Sequence, residues 1–549
     1  MTLKRSRIPF LFLLLFGVTL FFRLPTFFND YYDVDELAAI VQTKEYLAGD
    51  IPGQDFSESK LPLYHAIFKL SYQLDPDQGW VFVHLITVLI IFLTACFIFL
   101  IERLIRRDSP DSFAFGGALI YVVLVSSFNR HFMATNGEII YNLPVTASFY
   151  FLMIFLFQKQ ILKKFLYLLL CLLTAWIATQ IKFHGNIIVC YLIFFFLIYY
   201  KYRNGQINLR YLFSLGSALL LFVFLILLGS YFENNFSLSV IKSIKDKIFY
   251  AFADKGFNPF IFLVKFFHRQ GMLFLWHFVA WGLGIHLIIN FFKNIGKGRG
   301  DENLVLSSLI ILFLFNYLMI FGGGLRLYFH YFLAVYPSLS ILAGLAFFPL
   351  SSSGFINCNN RLLFLLLIPG LFFWSWNTKD IIIKHFYPQA FYQEGKFFYW
   401  TRAVLVGSFN DYLLPEKSYL PVVEYIKNET KPGERIFVWG DGPYLYYFSE
   451  RRMGGKTLWP KNSVLQIIRG YQQNTKESLK KVKDLENNFI RNLKKKKPVL
   501  FIDTSSSNLS NFNYSLEEAP LLKAFVLKNY FLETTVSKMK IYKLKSYVN

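Results

Sequence analysis

The sequence predicts a polytopic α-helical membrane protein with about eleven spans and a small α/β domain at its C-terminal end. Three observations lead there: the apolar share of the chain, the recurrence of uninterrupted apolar runs, and a change of pattern near residue 378. Of 549 residues, 55% are hydrophobic and only 17% charged, with a mean hydropathy of +0.40. Soluble domains carry nearer ~25% charged residues, and a water-soluble core this apolar would leave too little polar surface to cover it.

A helix needs about 20 apolar residues to cross a bilayer. Runs of that kind start near residues 8, 81, 112, 140, 165, 186, 211, 272, 303, 328 and 361. Lys182 and His184 interrupt the stretch from 165 to 200, so it is split there into two helices. The N-terminal Lys4-Arg5-Ser6-Arg7 and its apolar run resemble a signal peptide. Phe21-Phe22-Arg23-Leu24-Pro25 is too bulky for a cleavage site, so the run reads as an uncleaved first span.

The net charge of +22 does not call for nucleic acid, because the basic residues lie in short clusters between apolar runs. With a cytoplasmic N-terminus, alternate short loops carry Arg103, Arg106 and Arg107, then Lys159, Lys163 and Lys164, then Lys201, Arg203 and Arg210, then Lys293, Lys297 and Arg299. The opposite short loops carry mostly single basic residues. That is the positive-inside pattern of a multi-pass protein of the cell (inner or plasma) membrane, surrounded by its lipids. An odd number of spans puts the C-terminal domain outside. Cys96, Cys171 and Cys190 sit in apolar runs and Cys358 in a polar loop. No metal or redox spacing relates them, and they read as small buried hydrophobes.

Three segments face the outer side under this arrangement. Residues 27–79 form an acidic and aromatic loop. Residues 231–271 contain Ser243–Tyr250, which looks like an interfacial amphipathic helix. From 378 hydropathy falls, and Pro432-Gly433 and Gly440-Asp441-Gly442-Pro443 mark turns. Arg435–Trp439 and Val499–Ile502 read as strands between helical patterns. The division expected is therefore 1–377 for the membrane region and 378–549 for an extracytoplasmic α/β domain. Lys494–Lys497 is read as a solvated surface.

Chemistry concentrates in the first outer loop. Asp33, Asp35 and Glu36 crowd together just past a span, and carboxylates near lipid are partnered, bind a cation or titrate high. Solvated loop acids account for the spacing equally well. Lys60-Leu61-Pro62-Leu63 follows twenty-five residues after Asp35. Further on come Asn136-Gly137-Glu138, Gly324-Leu325-Arg326-Leu327-Tyr328-Phe329-His330-Tyr331, and Lys431-Pro432-Gly433-Glu434-Arg435.

With these motifs the chain resembles the lipid-linked-sugar glycosyltransferases of family 39 and their bacterial relatives. These share the GT-C architecture with protein O-mannosyltransferases and the aminoarabinose transferase of lipid A. Asp35-Glu36 is similar to the family's acidic pair. Lys60-Leu61-Pro62-Leu63 is similar to its Lys-Pro-Pro-Leu motif, with Leu61 in place of the first proline. Arg326 to Tyr331 is similar to the Arg/His-Tyr lead into a late helix. Many relatives place an aspartate before the Leu-Pro that is Leu143-Pro144 here. In this chain Glu138 and Asn142 stand there instead, and the sequence does not choose between them.

The resemblance implies transfer of a monosaccharide from a polyprenyl-phosphate-linked donor to a lipid, glycan or protein acceptor, with inversion. Asp35 would be the base toward a hydroxyl acceptor, or would orient or bind a metal if the acceptor were a phosphate. Glu36 would contact the sugar or fix local structure. Lys60, Arg326 and Lys182 would hold the donor phosphate, since preorganised cations stabilise a departing anion. Snorkelling at helix ends is the alternative for Arg326 and Lys182. Glu138 and His330 are candidates for a second site or a metal. No ligand spacing among His65, His131, His184 and His330 demonstrates a cofactor, and a divalent metal stays an alternative.

Tyr31, Tyr32 and the cluster Tyr444–Phe448 could stack on sugars, although most aromatics fit interfacial belts and packing. A lipid-linked-saccharide flippase is the competing function. It would need charge at mid-span, whereas the candidate charges cluster at one face. A membrane assembly protein whose tail binds a partner is the third reading.

Overall fold

The structure is a computed structural model that describes residues 7–57, 60–106, 111–127, 130–204, 259–293, 300–323, 327–347, 365–376, 378, 414–440, 442–458, 460–507, 512 and 514–547. Its longer helices, in chain order, begin with α1 Arg7–Arg23, α2 Val34–Leu47, α3 Pro62–Leu74, α4 Gly79–Ile105, α5 Asp111–Val125 and α6 Gly137–Phe157. They continue with α7 Ile161–Ile181, α8 Ile187–Asn204, α9 Pro259–Trp276, α10 Phe278–Lys293, α11 Gly300–Met319 and α12 Tyr336–Phe347. An apolar helix, α13, spans Leu365–Trp376.

Among the described residues, five helices are long and apolar enough to cross a membrane: Ile8–Phe28, Gly79–Ile105, Gly137–Phe157, Ile161–Ile181 and Phe329–Phe347. Shorter apolar helices cover Phe113–Val125, Ile187–Tyr199, Asn303–Met319 and Leu365–Trp376. All the expected runs except the one near 211 coincide with apolar helices. That run, Ser243–Tyr250, Arg326 and Cys358 lie outside the described residues. The split of the run from 165 to 200 falls at Lys182, where α7 ends.

The run near 272 differs from a single straight span. Phe262–Trp276 and Phe278–Lys293 meet at 101°. His277 occupies the bend, with its ring hydrogen-bonded to Ser127 Oγ at 2.8 Å and Tyr336 OH at 3.0 Å. A buried imidazole satisfied on both nitrogens fixes the turn. Cys190 also departs from expectation, being exposed on α8, whereas Cys171 is buried.

The chain divides into two compact units. One holds Met1–Tyr32, Lys60–Ile67 and Gln78–Phe391; the other holds Asp33–Ser59, Phe68–Asp77 and Tyr392–Asn549. The helical unit packs α6 on α7, α4 on α5 and α6, and α12 on α5 and α10. Gly117 on α5 and Gly344 on α12 allow the closest approach. A Cβ on Gly344 would lie 2.8 Å from Gly117 Cα and 2.1 Å from Glu102 Oε1. Small residues let helix backbones meet in this way where lipid offers no hydrophobic drive. Arg106, beside Glu102, donates to Gly344 O at 2.9 Å.

The second unit is an α/β domain. It adds α14 Leu414–Glu429, β1 Arg435–Trp439, α15 Pro443–Ser449, β2 Arg452–Met453, α16 Lys461–Gln473, α17 Lys476–Lys496, β3 Leu500–Asp503, α18 Pro520–Asn529, β4 Tyr530–Val536 and β5 Met539–Leu544. The sheet order is β2-β1-β3-β5-β4, with β2, β1 and β3 parallel and the last two pairings antiparallel. Side chains alternate across a strand. Ile436 and Val438, with Leu500 and Ile502, therefore pack against α14, α15 and, from α2, Ala38 and Val41. Phe437, Trp439 and Phe501 face the other way, against α16, α17 and α18. The tail turn requires glycine at Gly440, which has φ +151°, because a Cβ there would sit 1.8 Å from Thr504 Oγ1.

Candidate active site

The acidic motif belongs to the sheet-bearing unit, at the start of α2. Asp33 has extended backbone and accepts from Glu36 N at 2.8 Å, so it is the N-cap. Such a cap satisfies one of the free amides of a first helical turn. Asp35 and Glu36 lie within that turn, where the helix dipole favours carboxylates. Asp35 is half-buried and Glu36 fully buried. Of the three acids, Asp33 thus gives one carboxylate oxygen to the cap.

The remaining described candidates lie in the helical unit. Lys60 precedes α3, with its backbone N–H donating to His65 Nε2 at 3.3 Å. One turn into α3, Tyr64 OH donates to Thr135 O at 3.1 Å, and Thr135 Oγ1 meets Thr87 Oγ1 at 2.9 Å. These contacts seat the Lys60 segment against the residues that lead into α6. A Cβ on Gly137 would meet Lys182 Cδ at 3.7 Å and the Tyr64 ring at 4.0 Å, so the glycine lies between the two side chains.

Glu138, in the first turn of α6, forms an ion pair with Lys182 at the end of α7. Its side chain is only 2% exposed and that of Lys182 13%. Lys182 Nζ also lies 4.6 Å from the centre of the Tyr331 ring. The His330 ring meets Tyr331 edge-on at 4.7 Å, Tyr328 face-on at 5.7 Å and His131 at 6.0 Å. A 3-10 segment, Phe329–Val335, presents these groups. It is held by Asn142, whose Nδ2 donates to Leu333 O at 3.0 Å and to Tyr121 OH at 3.2 Å. Glu138 is thus engaged in an ion pair, while Asn142 ties α6 to Tyr121 and Leu333.

The sequence puts Lys182 with the donor phosphate and Glu138 and His330 at a second site; the structure brings all three side chains around Tyr331. Sequence reasoning missed Arg269. That guanidinium donates to Leu327 O and lies 5.6 Å from the Tyr328 ring and 5.3 Å from the Phe329 ring. Leu327 is left-handed, at φ +53°. A bulky residue there is strained backbone of the kind concentrated at functional sites. The signal available was a cation inside an apolar helix, which by default marks a functional position. Arg326 lies outside the described residues, as does the side chain of His184.

No family model and no curated protein matches the sequence. Solved structures do. ArnT from Cupriavidus metallidurans in the apo state superposes with a TM-score of 0.54 at 13% identity, covering 96% of this chain and 97% of that one. The same protein bound to undecaprenyl phosphate gives 0.53 at 13% identity over the same shares. This chain has the GT-C fold. An archaeal oligosaccharyltransferase, AglB from Archaeoglobus fulgidus, is a looser likeness at TM-score 0.49 and 11% identity, covering 100% of this chain and 75% of that one. With the apolar helices, the GT-C fold makes the chain an integral membrane protein.

Proposed function

We propose that the protein transfers a monosaccharide from a polyprenyl-phosphate-linked donor to an acceptor on the outer face of the cell membrane. The observation that carries this reading is the end-to-end likeness to ArnT, a protein whose structure has also been solved with undecaprenyl phosphate. Fold alone does not assign chemistry, so the residues must supply it.

In this reaction Asp35 accepts the proton of an acceptor hydroxyl as its oxygen attacks the anomeric carbon. The bond from that carbon to the phosphate oxygen breaks, and the electron pair leaves with the polyprenyl phosphate. A single displacement of this kind inverts the anomeric centre. The leaving phosphate gains charge in a partly dry site, where fixed cations are worth more than in water. Lys60, Lys182 and Arg326 hold it. Glu138 pairs with Lys182 and aims it, and Arg269 is a further cation of the same neighbourhood. Glu36, buried beside Asp35, fixes the start of α2 or meets the sugar.

The test is purified protein in nanodiscs, given radiolabelled polyprenyl-phosphate sugars and candidate lipid, glycan and protein acceptors. Label should move to an acceptor and should cease to move in Asp35→Asn. Transfer that survives this substitution unchanged would remove Asp35 from the base role. Repeating the assay with EDTA, and with His330→Ala, reports whether a metal is required and whether His330 contributes to holding it.

A further inference from the structure

α2 is fastened to the sheet by more than its apolar face. Ala38 and Val41 are buried in the hydrophobic layer of the sheet, and Glu45 follows on the same helix face at helical spacing. Glu45 Oε1 accepts from Met453 N at 2.7 Å, and its Oε2 accepts from Arg435 at 3.2 Å and Arg452 at 3.4 Å. Past α2, Gly49 takes φ +91° and turns the chain back. Asp50 then accepts from Arg435 Nη2 and Arg452 Nη2, both at 2.8 Å, and from Lys496 Nζ at 3.1 Å.

The three cations stand at the starts of β1 and β2 and at the end of α17. The side chains of Glu45 and Lys496 are 4% and 6% exposed, so the network is largely out of water. Two further ties follow, Lys495 to Asp55 at 2.6 Å and Ser57 N to Lys456 O at 2.7 Å. Arg435 and Arg452 also face each other in the β1–β2 register, and Arg435 Nη1 donates to Met453 O at 2.7 Å, so the cations serve this sheet edge as well as the two acids. What the network adds is a fixed position for residues nearly four hundred positions earlier in the chain.

We propose that Arg435, Arg452 and Lys496 are positioning residues: through Glu45 and Asp50 they clamp α2 and so hold Asp35 and Glu36 in place. This rests on the reading of Asp35 as the base. Asp35 lies ten residues before Glu45 on one continuous helix, a rod of about 15 Å. A helix anchored at one end and capped by Asp33 at the other transmits a shift of its anchor to its first turn. Burial pushes the Glu45 carboxyl up, ahead of the hydrogen bond from Met453 N that lowers it. The network is therefore a costly one, which a loop needing only to be covered would not require.

The experiment uses the full chain in nanodiscs with its native cysteines changed to alanine. Spin labels on Ala48→Cys and Glu424→Cys, both exposed and both in the sheet-bearing unit, report where α2 sits. The parent should give one narrow distance distribution. Arg435→Gln with Arg452→Gln should broaden it and lower kcat about 10- to 100-fold, with the KM for the donor little changed. Arg435→Lys, which keeps charge but loses the fork, should recover part of both. If the Gln pair fails to fold, Asp50→Asn gives the same two readouts. A distribution that stays narrow, or a broadened one with unchanged kcat, overturns the proposal. If the parent transfers no sugar at all, it is the transferase reading that fails, and the distance distribution alone decides whether the network clamps α2.

Discussion

The two units bury charge in different ways. In the helical unit Glu138 has Lys182 and Arg106 reaches a carbonyl, each a local arrangement inside an otherwise apolar bundle. In the sheet-bearing unit Glu45, Asp50, Arg435, Arg452 and Lys496 share partners, so that losing one leaves others to compensate. Among the described residues the Glu138 carboxylate has Lys182 as its ion-pair partner, so loss of Lys182 is not shared out in that way. The comparison predicts steep, local responses in the first unit and graded ones in the second.

The sharpest way to break it is Lys182→Met. It removes the counter-ion that Glu138 has among the described residues and should cost about 3–5 kcal/mol of stability, read as a lowered unfolding midpoint in detergent. Adding Glu138→Gln should restore most of the loss. If the single and double variants are equally unstable, the pair is not the one-to-one arrangement described. Next comes Gly344→Val, which drives a side chain toward the Gly117 backbone and the Glu102 carboxylate. Overpacking of this kind costs about 1–3 kcal/mol, and the loss should appear as poorer recovery of monodisperse protein.

In the sheet-bearing unit the response should be to pH. Burial would raise the Asp50 carboxyl, but hydrogen bonds from Arg435 and Glu45 and the Lys496 charge outweigh it and hold the group below the ordinary aspartate range. A carboxyl lowered on folding contributes stability above its unfolded pKa of about 3.9 and loses it as pH falls through the folded value. Glu45 is raised, so its contribution is present below about pH 4.3 and is lost as pH rises through its folded value. Asp50→Asn should therefore flatten the acid limb of an unfolding-midpoint profile followed by circular dichroism. Glu45→Gln should leave that limb and flatten the opposite one. The smallest effect belongs to Lys481→Ala, which removes an exposed pair with Glu477 on α17 and should leave the midpoint unchanged.

Much of this was legible in the sequence, for physical reasons that also mark where reading stopped. Apolar runs announce spans because lipid leaves the backbone no other partner, and Lys182 was visible as a break for the same reason. Arg435–Trp439 and Val499–Ile502 could be read as strands from their short apolar runs, the second one residue ahead of the observed Leu500–Asp503. The short β2 could not, since Arg452-Met453 carries no pattern of its own. Among the acids of the first loop, spacing could not single out the one that caps the helix; that took the Asp33 to Glu36 hydrogen bond. The Glu45 and Asp50 network was invisible for another reason. Its partners lie nearly four hundred residues away, and no local periodicity encodes such a contact.

The most direct test of the account is transfer of radiolabelled sugar from a polyprenyl-phosphate donor by the intact protein and by Asp35→Asn. Label reaching an acceptor in the first and not in the second is what the account predicts. Donor moved across a sealed vesicle without any new covalent product would contradict it, and would make the protein a carrier of lipid-linked sugar instead.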